Sequence, residues 1–238
     1  MTRRRWIADT WTATTASLTG EQAIHLSRVL RAEPGMEFDI VADGHVHRAI
    51  IKGISESEVI FTLQEELSAD AALPVTLLLS VFKFDRMEWA IEKVTELGVA
   101  CVVPVLARRT EKHLAQAAEK RVERWRRIAR EAAQQSRRSD VPEIAAPVQL
   151  KQALTLAPPE CLRLLLAETE EDNSLASALR AAPHSDVHLA IGPEGGWTQE
   201  ELALFTQHAW RHVTLGPRIL RAETAAIAAT AIATALLG

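Results

Sequence analysis

The sequence predicts an α/β protein in two parts: a small β-rich segment, then a larger domain built round a parallel sheet. Three observations carry that prediction. Residues 75–81 and 99–106 are unbroken apolar runs of strand length with an amphipathic helix between them, the signature of a βαβ unit buried on both faces. Two later apolar strands each run into a Gly-Pro turn and then at once into a helix signal. In the first seventy residues, short strands flank Asp43-Gly44, a dipeptide whose two residues both accept positive φ and so favour a tight hairpin.

Taken in order, the chain opens with Arg3, Arg4 and Arg5 before Trp6. This is either a basic arm beside an aromatic that stacks on a base, or a solvated terminus. Thr19-Gly-Glu-Gln22 has the form of a capping box. In the helix it would start, Ile24, Leu26, Val29 and Leu30 form an apolar side, with His25, Arg28 and Arg31 opposite. Strands follow at 37–42, 45–53 and 59–63, suggesting a small β-barrel. His45 and His47 share one strand face, but no third ligand lies near, so no metal is expected. Periodicity stops at 67–74, which reads as a linker and divides the chain into 1–70 and 74–238.

Beyond the linker, Met87, Ile91, Val94 and Leu97 make one helical stripe that ends at Gly98. Residues 113–138 keep helical spacing through Leu114, Ala118, Val122, Trp125 and Ala132. Arg124, Arg127 and Arg130 form one ridge on it, either a solvated face balanced by acids or a phosphate contact. Residues 141–160 are proline-rich and read as irregular structure with one short helix. A buried strand is expected at 162–167, a helix at 175–179, a strand at 187–191, and a helix capped by Thr198 with Glu201 at its third position. The final stretch, 225–237, is apolar nearly all round, which calls for burial in a core or against another subunit.

Composition narrows the class. With 238 residues, 47% hydrophobic and 24% charged, the chain has a globular make-up. The net charge of −4 is unevenly spread: residues 108–138 hold eleven Lys and Arg against four acids, a net +7, which leaves −11 for the rest. Segregated basicity of this kind is a footprint for nucleic acid. Cys101 and Cys161 form no CxxC pair and read as buried thiols of a reducing compartment. No apolar run is long enough for a membrane span, and the opening arginines are followed by no apolar segment of the kind an export signal needs. A cytoplasmic location is expected.

The two Gly-Pro segments read Ile-Gly-Pro-Glu-Gly-Gly-Trp-Thr-Gln-Glu-Glu (191–201) and Leu-Gly-Pro-Arg-Ile-Leu-Arg-Ala-Glu-Thr-Ala (215–225). Neither a G-x-G-x-x-G fingerprint nor a P-loop occurs. Together the segments resemble the cofactor-binding loops of the knotted SPOUT methyltransferases, most closely the bacterial family that methylates N3 of a uridine in 16S ribosomal RNA. Weaker matches to the same family are His25-x-x-x-Val-Leu-Arg31 before Pro34-Gly35, the segment from Lys83 to Leu97-Gly98, and Glu131-Ala-Ala-Gln-Gln-Ser-Arg-Arg138. At Arg137 the family pattern has a small or neutral residue.

The resemblance implies a PUA-like RNA-binding barrel followed by a SPOUT domain whose carboxyl-terminal helix threads a trefoil knot. It also implies a homodimer, and 16S rRNA or the small ribosomal subunit as partner. It places S-adenosylmethionine against Ala167, Glu168, Ile191, Gly192, Pro193, Glu194, Gly195, Gly196, Leu215, Gly216, Ile219, Leu220 and Thr224, with Leu215, Ile219 and Leu220 receiving adenine. RNA-contact candidates are Arg3, Arg4, Arg5, Arg28, Arg31, Arg124, Arg127, Arg137 and Arg138. Uridine N3 must lose a proton, so a carboxylate that takes it and a cation that steadies the anion are needed. Glu194 or Glu223 fits the first role, Arg138 and Arg221 the second. The bland alternative pairs Arg221 with a carboxylate and leaves Glu223 as a helix-start acid. Rival functions on the same fold are methylation of a tRNA base or a ribose 2′-hydroxyl, or a non-catalytic role in ribosome assembly.

Overall fold

The computed structural model describes residues 5–69, 71–182 and 186–238, so Arg3 and Arg4 lie outside the described residues. The chain divides into two compact units, one comprising the residues up to Ala71 with Ala133–Val141, the other Ala72–Ala132 with Pro142–Gly238. The segment 133–141 thus groups with the amino-terminal part, which a single cut near residue 70 does not anticipate.

The first unit is one six-stranded sheet. Its strands are β1 (Trp6–Ile7), β2 (Thr10–Trp11), β3 (Thr15–Thr19), β4 (Glu37–Ala42), β5 (His45–Ile54) and β6 (Glu58–Leu67). Their order is β1-β4-β5-β6-β3-β2. The two edges, β1 and β2, are halves of one extended segment: Ala8 N–H donates to Val41 on one side, and Asp9 N–H to Ser17 on the other. The sheet therefore curls until a single stretch of chain meets both of its edges. The hairpin at Asp43-Gly44 forms as expected, with φ of 51° and 77°. Leu18, Ile40, Ile51 and Phe61 fill the interior.

Three expectations for this unit need correction. Trp6 does not await a base; it is 2% exposed in the core, against His25. No capping box forms at Thr19, because its N–H and hydroxyl both donate to the Asp9 carboxylate. The helix α1 (Gly20–Ile24) passes directly into a π-helical turn, His25–Val29. That wider turn shifts the register, so Ala23 and Leu26 face inward while Ile24, Val29 and Leu30 are exposed.

The second unit carries β7 (Leu73–Ser80), α2 (Phe84–Glu96), β8 (Val99–Leu106), α3 (Lys112–Ala117) and α4 (Val122–Gln135). Then come β9 (Glu143–Ile144), β10 (Val148–Gln149), α5 (Leu150–Leu156), β11 (Leu162–Leu166) and α6 (Leu175–Arg180). Last are β12 (Val187–Ile191), α7 (Gln199–Gln207), β13 (Arg211–Val213) and α8 (Ala222–Leu237). All pairings in its sheet are parallel, in the order β10-β8-β7-β12-β11-β13, with β9 beside β8. The unbroken apolar runs now have their reason. In β7, Leu77 and Leu79 enter the core under α2 and α8, while Leu78 between them enters a second core formed with α5 and α7. The expected 113–138 helix is broken: a 3₁₀ turn at Glu119–Arg121 separates α3 from α4. Cys161 is buried and Cys101 half-buried, both unpaired, and burial pushes the Cys101 thiol up to about 11. No helix among the described residues is long and apolar enough to cross a membrane.

Candidate active site

Parallel strands send the loops after their carboxyl ends to one side of a sheet, and ligands of open α/β sheets sit there. Strands β12, β11 and β13 are neighbours in that order. Their following loops line one cleft of about 880 Å³, a size ordinary for a small-molecule site. Both Gly-Pro bends take part, as does the loop 167–171 between them.

The bend after β12 is held rigidly. At Gly192 a Cβ would stand 3.1 Å from the Trp197 indole, closer than side chains ordinarily pack, so glycine lets that ring sit tight against the backbone. Trp197 in turn packs edge-on against Phe205 of α7, centroids 4.8 Å apart. Gly196, at φ 70°, turns the chain and donates its N–H to the Pro193 carbonyl. Arg109, from the loop after β8, lays its alkyl stem along Gly195 and donates from Nη1 to the Gly195 carbonyl at 2.5 Å. The capping box expected at α7 is complete. The Glu201 N–H donates to Thr198 Oγ1, the Thr198 N–H to Glu201 Oε2, and the Arg108 N–H to Glu201 Oε1.

The bend after β13 is more open. Gly216 N–H donates to Thr214 Oγ1. Ile219 is 79% exposed beside the cleft, and Leu215 and Leu220 are partly covered. Arg221 is the N-cap of α8 and forms no side-chain cap. One turn into the helix, Glu223 is 4% exposed, and its Oε2 has no hydrogen-bond partner among the described residues. Its Oε1 stands 3.9 Å from Arg86 Nε, while Arg86 Nη1 donates to Glu194 Oε1 at 2.5 Å. In the middle loop, Glu170 Oε1 accepts from the Asp172 and Asn173 N–H groups and from Asn173 Nδ2. These bonds, led by the Asn173 backbone N–H, hold its pKa below the usual carboxylate value.

Of the residues expected to hold cofactor, all but Thr224 line the cleft; Thr224 points to solvent from α8. Glu194 and Arg221 line it too, and Arg221 makes no ion pair among the described residues. Glu223 is an acid of the first turn of α8, as the alternative has it, and is buried beside Arg86. Arg138 belongs to the first unit, where its guanidinium is bound by Asp140 through Nε at 3.1 Å and Nη2 at 2.5 Å. The arginine ridge is not uniform: Arg124 and Arg127 are both exposed, but Arg124 is held in a forked pair with Glu88. Arg28, Arg31 and Arg137 are also exposed, and Arg5 donates to the Arg137 carbonyl. The expected set omits Arg86 and Arg109. Arg86 stands within the weak match beginning at Lys83, but no local spacing marks either side chain as reaching the cleft.

The profile of the RNA methyltransferase domain matches residues 69–234, a span that contains the whole cleft. The ribosomal RNA small subunit methyltransferase E of Synechocystis is 37% identical over 94% of this chain and 74% of its own length. Its namesake in Bacillus subtilis is 32% identical over 90% of this chain and 87% of its own. The chain belongs to the ribosomal RNA small subunit methyltransferase E family. A crystal structure of the Neisseria gonorrhoeae family member, solved with S-adenosyl methionine bound, superposes with a TM-score of 0.86 at 29% identity, covering 99% of this chain and 98% of that one. The similarity to this family extends over both units and not the sheet domain alone.

Proposed function

We propose that this protein methylates N3 of a uridine in 16S ribosomal RNA, using S-adenosylmethionine. The observation that carries the reading is the convergence of both Gly-Pro bends on one cleft in a chain of this family. The cleft suits the cofactor on its own terms. It is large enough, its floor is glycine backbone, and an almost bare isoleucine stands ready to cover a flat ring. Residues 191–196, with Ala167 and Glu168, would hold the cofactor by backbone and carboxylate contacts; Leu215, Ile219 and Leu220 would cover adenine. Bound there, the cofactor supplies an electrophilic methyl group.

The chain's own residues then have two tasks. One is placement, which supplies much of the rate in a transfer of this type. The other is removal of the N3 proton. Glu194 is the better placed acceptor, because it lines the cleft and its side chain is 32% exposed, whereas Glu223 is enclosed behind Arg86. Arg221, uncommitted and at the cleft, is the better placed cation for the resulting anionic base. Arg138 serves that role in this reading only by leaving Asp140.

The same reading makes the first unit a PUA-like RNA-binding barrel, with its Arg28, Arg31 and Arg137 meeting phosphate, and gives Arg127 of the second unit the same role. It threads α8 through a trefoil knot, pairs two copies through the apolar positions of α8 that are only half-buried, and places the protein in the cytoplasm. The deciding experiment incubates purified protein with labelled cofactor and small ribosomal subunits from a deletion strain, then maps the label by nuclease digestion and mass spectrometry. One N3-methyluridine is expected; label on a ribose, on another base, or nowhere overturns the reading.

A further inference from the structure

Three features of the cleft remain unexplained by ligand binding alone. The two bends follow strands that are not neighbours, since β11 lies between β12 and β13. Among the described residues, no hydrogen bond joins one bend directly to the other. And Glu223 buries a carboxylate with one oxygen unpartnered, an arrangement that is costly unless a cation stands close. A single side chain touches all three.

Arg86 sits in the first turn of α2, a helix fixed by the buried residues Met87, Ile91 and Val94. Its guanidinium presents two edges. Nη1 donates to Glu194, at the tip of the first bend, and Nε faces Glu223, in the first turn of the helix that follows the second. A planar fork with separate donors can hold two carboxylates at a set angle, which a lysine ammonium on its flexible stem does not do.

We propose that Arg86 is a positioning residue that ties the two cofactor bends together before any ligand arrives. It acts through Glu194 and Glu223. The consequence is preorganisation: the loops are already ordered when ligand binds, so less conformational freedom is lost at that moment. Glu194, the acceptor favoured above, is held by the same fork at the edge of the cleft. The clamp rests on the cofactor reading for its purpose, but its mechanical effect belongs to the ligand-free chain.

The test therefore begins without ligand. Hydrogen–deuterium exchange is compared in wild type, Arg86→Met and Arg86→Lys over residues 192–197 and 215–222. Glu88→Gln serves as the control, since Glu88 shares α2 with Arg86 but pairs with Arg124 of α4 and touches neither bend. Arg86→Met is expected to speed exchange in both bends at once, roughly threefold or more, with Lys intermediate and the control unchanged. Calorimetry with S-adenosylmethionine is expected to give a Kd about tenfold weaker for Arg86→Met. Glu223→Gln combined with Arg86→Met is expected to weaken binding no further than Arg86→Met alone, because Glu223 lies behind Arg86 rather than on the cleft wall and the two act as one unit.

Exchange that rises in neither bend, or in only one, overturns the clamp, as does additive loss in the double variant. Should wild type itself fail to bind the cofactor, the proposed function falls while the exchange result still judges the clamp. If Arg86→Met does not fold, Glu194→Gln and Glu223→Gln, singly and together, cut the same ties from the other side; unchanged exchange in both bends then overturns the proposal.

Discussion

Two stretches of this chain follow the same plan, strand, Gly-Pro bend, helix, and differ in how completely they are closed. The bend before α7 is anchored by a buried carboxylate whose bonds are made: Glu201 is 5% exposed with both oxygens accepting backbone N–H bonds. The bend before α8 has no side-chain cap, leaves Ile219 in the open, and buries Glu223 with one oxygen unpartnered. A buried carboxylate whose bonds are all made belongs to a scaffold, and a buried carboxylate with one oxygen unpartnered beside a cleft is a candidate for function. The likeness of the two motifs in sequence thus hides a division of labour.

The sharpest way to break this comparison is to treat the two glutamates alike. Glu201→Ala strips the acceptor from two backbone N–H groups and removes half of a capping box, so a loss of about 3 kcal/mol is expected in urea unfolding. Glu223→Gln keeps the shape of the side chain, removes a buried charge that made one long ionic contact, and leaves the partly exposed Arg86 paired with Glu194, so a change under about 1 kcal/mol is expected. Cofactor affinity should move the other way, falling in Glu223→Gln and holding in those Glu201→Ala molecules that remain folded. Equal stability losses would erase the distinction between closed and open bends.

A smaller contrast uses the glycines. Gly192→Val drives a side chain into the Trp197 ring and is expected to cost about 2 kcal/mol by overpacking. Gly216→Ala meets nothing within 4 Å; with φ at 113° it carries only backbone strain, about 1 kcal/mol. Thermal melting with tryptophan fluorescence separates the two, since only the first should disturb the Trp197 environment. A red-shifted ligand-free spectrum for Gly216→Ala would show that the second bend is more tightly built than its open surroundings suggest.

How much of this was open to a reader of the sequence follows from where each signal lives. The strands β8 and β12 match their expected limits because strands buried on both faces are almost wholly apolar over a run too short for a helix, His188 being the one polar residue of β12. The Thr198 capping box was readable because its two partners lie three residues apart. The same pattern at Thr19 misled, because Asp9, ten residues away across the hairpin, takes the bonds that a cap would use. The two-residue strands β9 and β10 are too short to show any period. Arg86 was invisible as a site residue for the plainest reason: its partners lie 108 and 137 positions further on, and only the folded sheet brings them within reach.

The loop between the two bends offers the finest test, since it can be classed with either. Glu170 gathers three donors onto one oxygen, the mark of the closed kind. A carboxyl whose pKa is lowered on folding stabilises the fold fully above its unfolded value, and that contribution fades as pH falls through the lower folded value. The window for Glu170 is therefore acidic, below the ordinary carboxylate range, and near neutrality the contribution is constant. Carbon-detected NMR should find Glu170 titrating below the ordinary carboxylate value, and Asn173→Ala, by removing the side-chain donor, should raise it part of the way back. The backbone donor that leads the shift remains in that variant, so the recovery must be incomplete. A full return would mean that the loop loses its fold along with one amide, which would place it with the open bend instead.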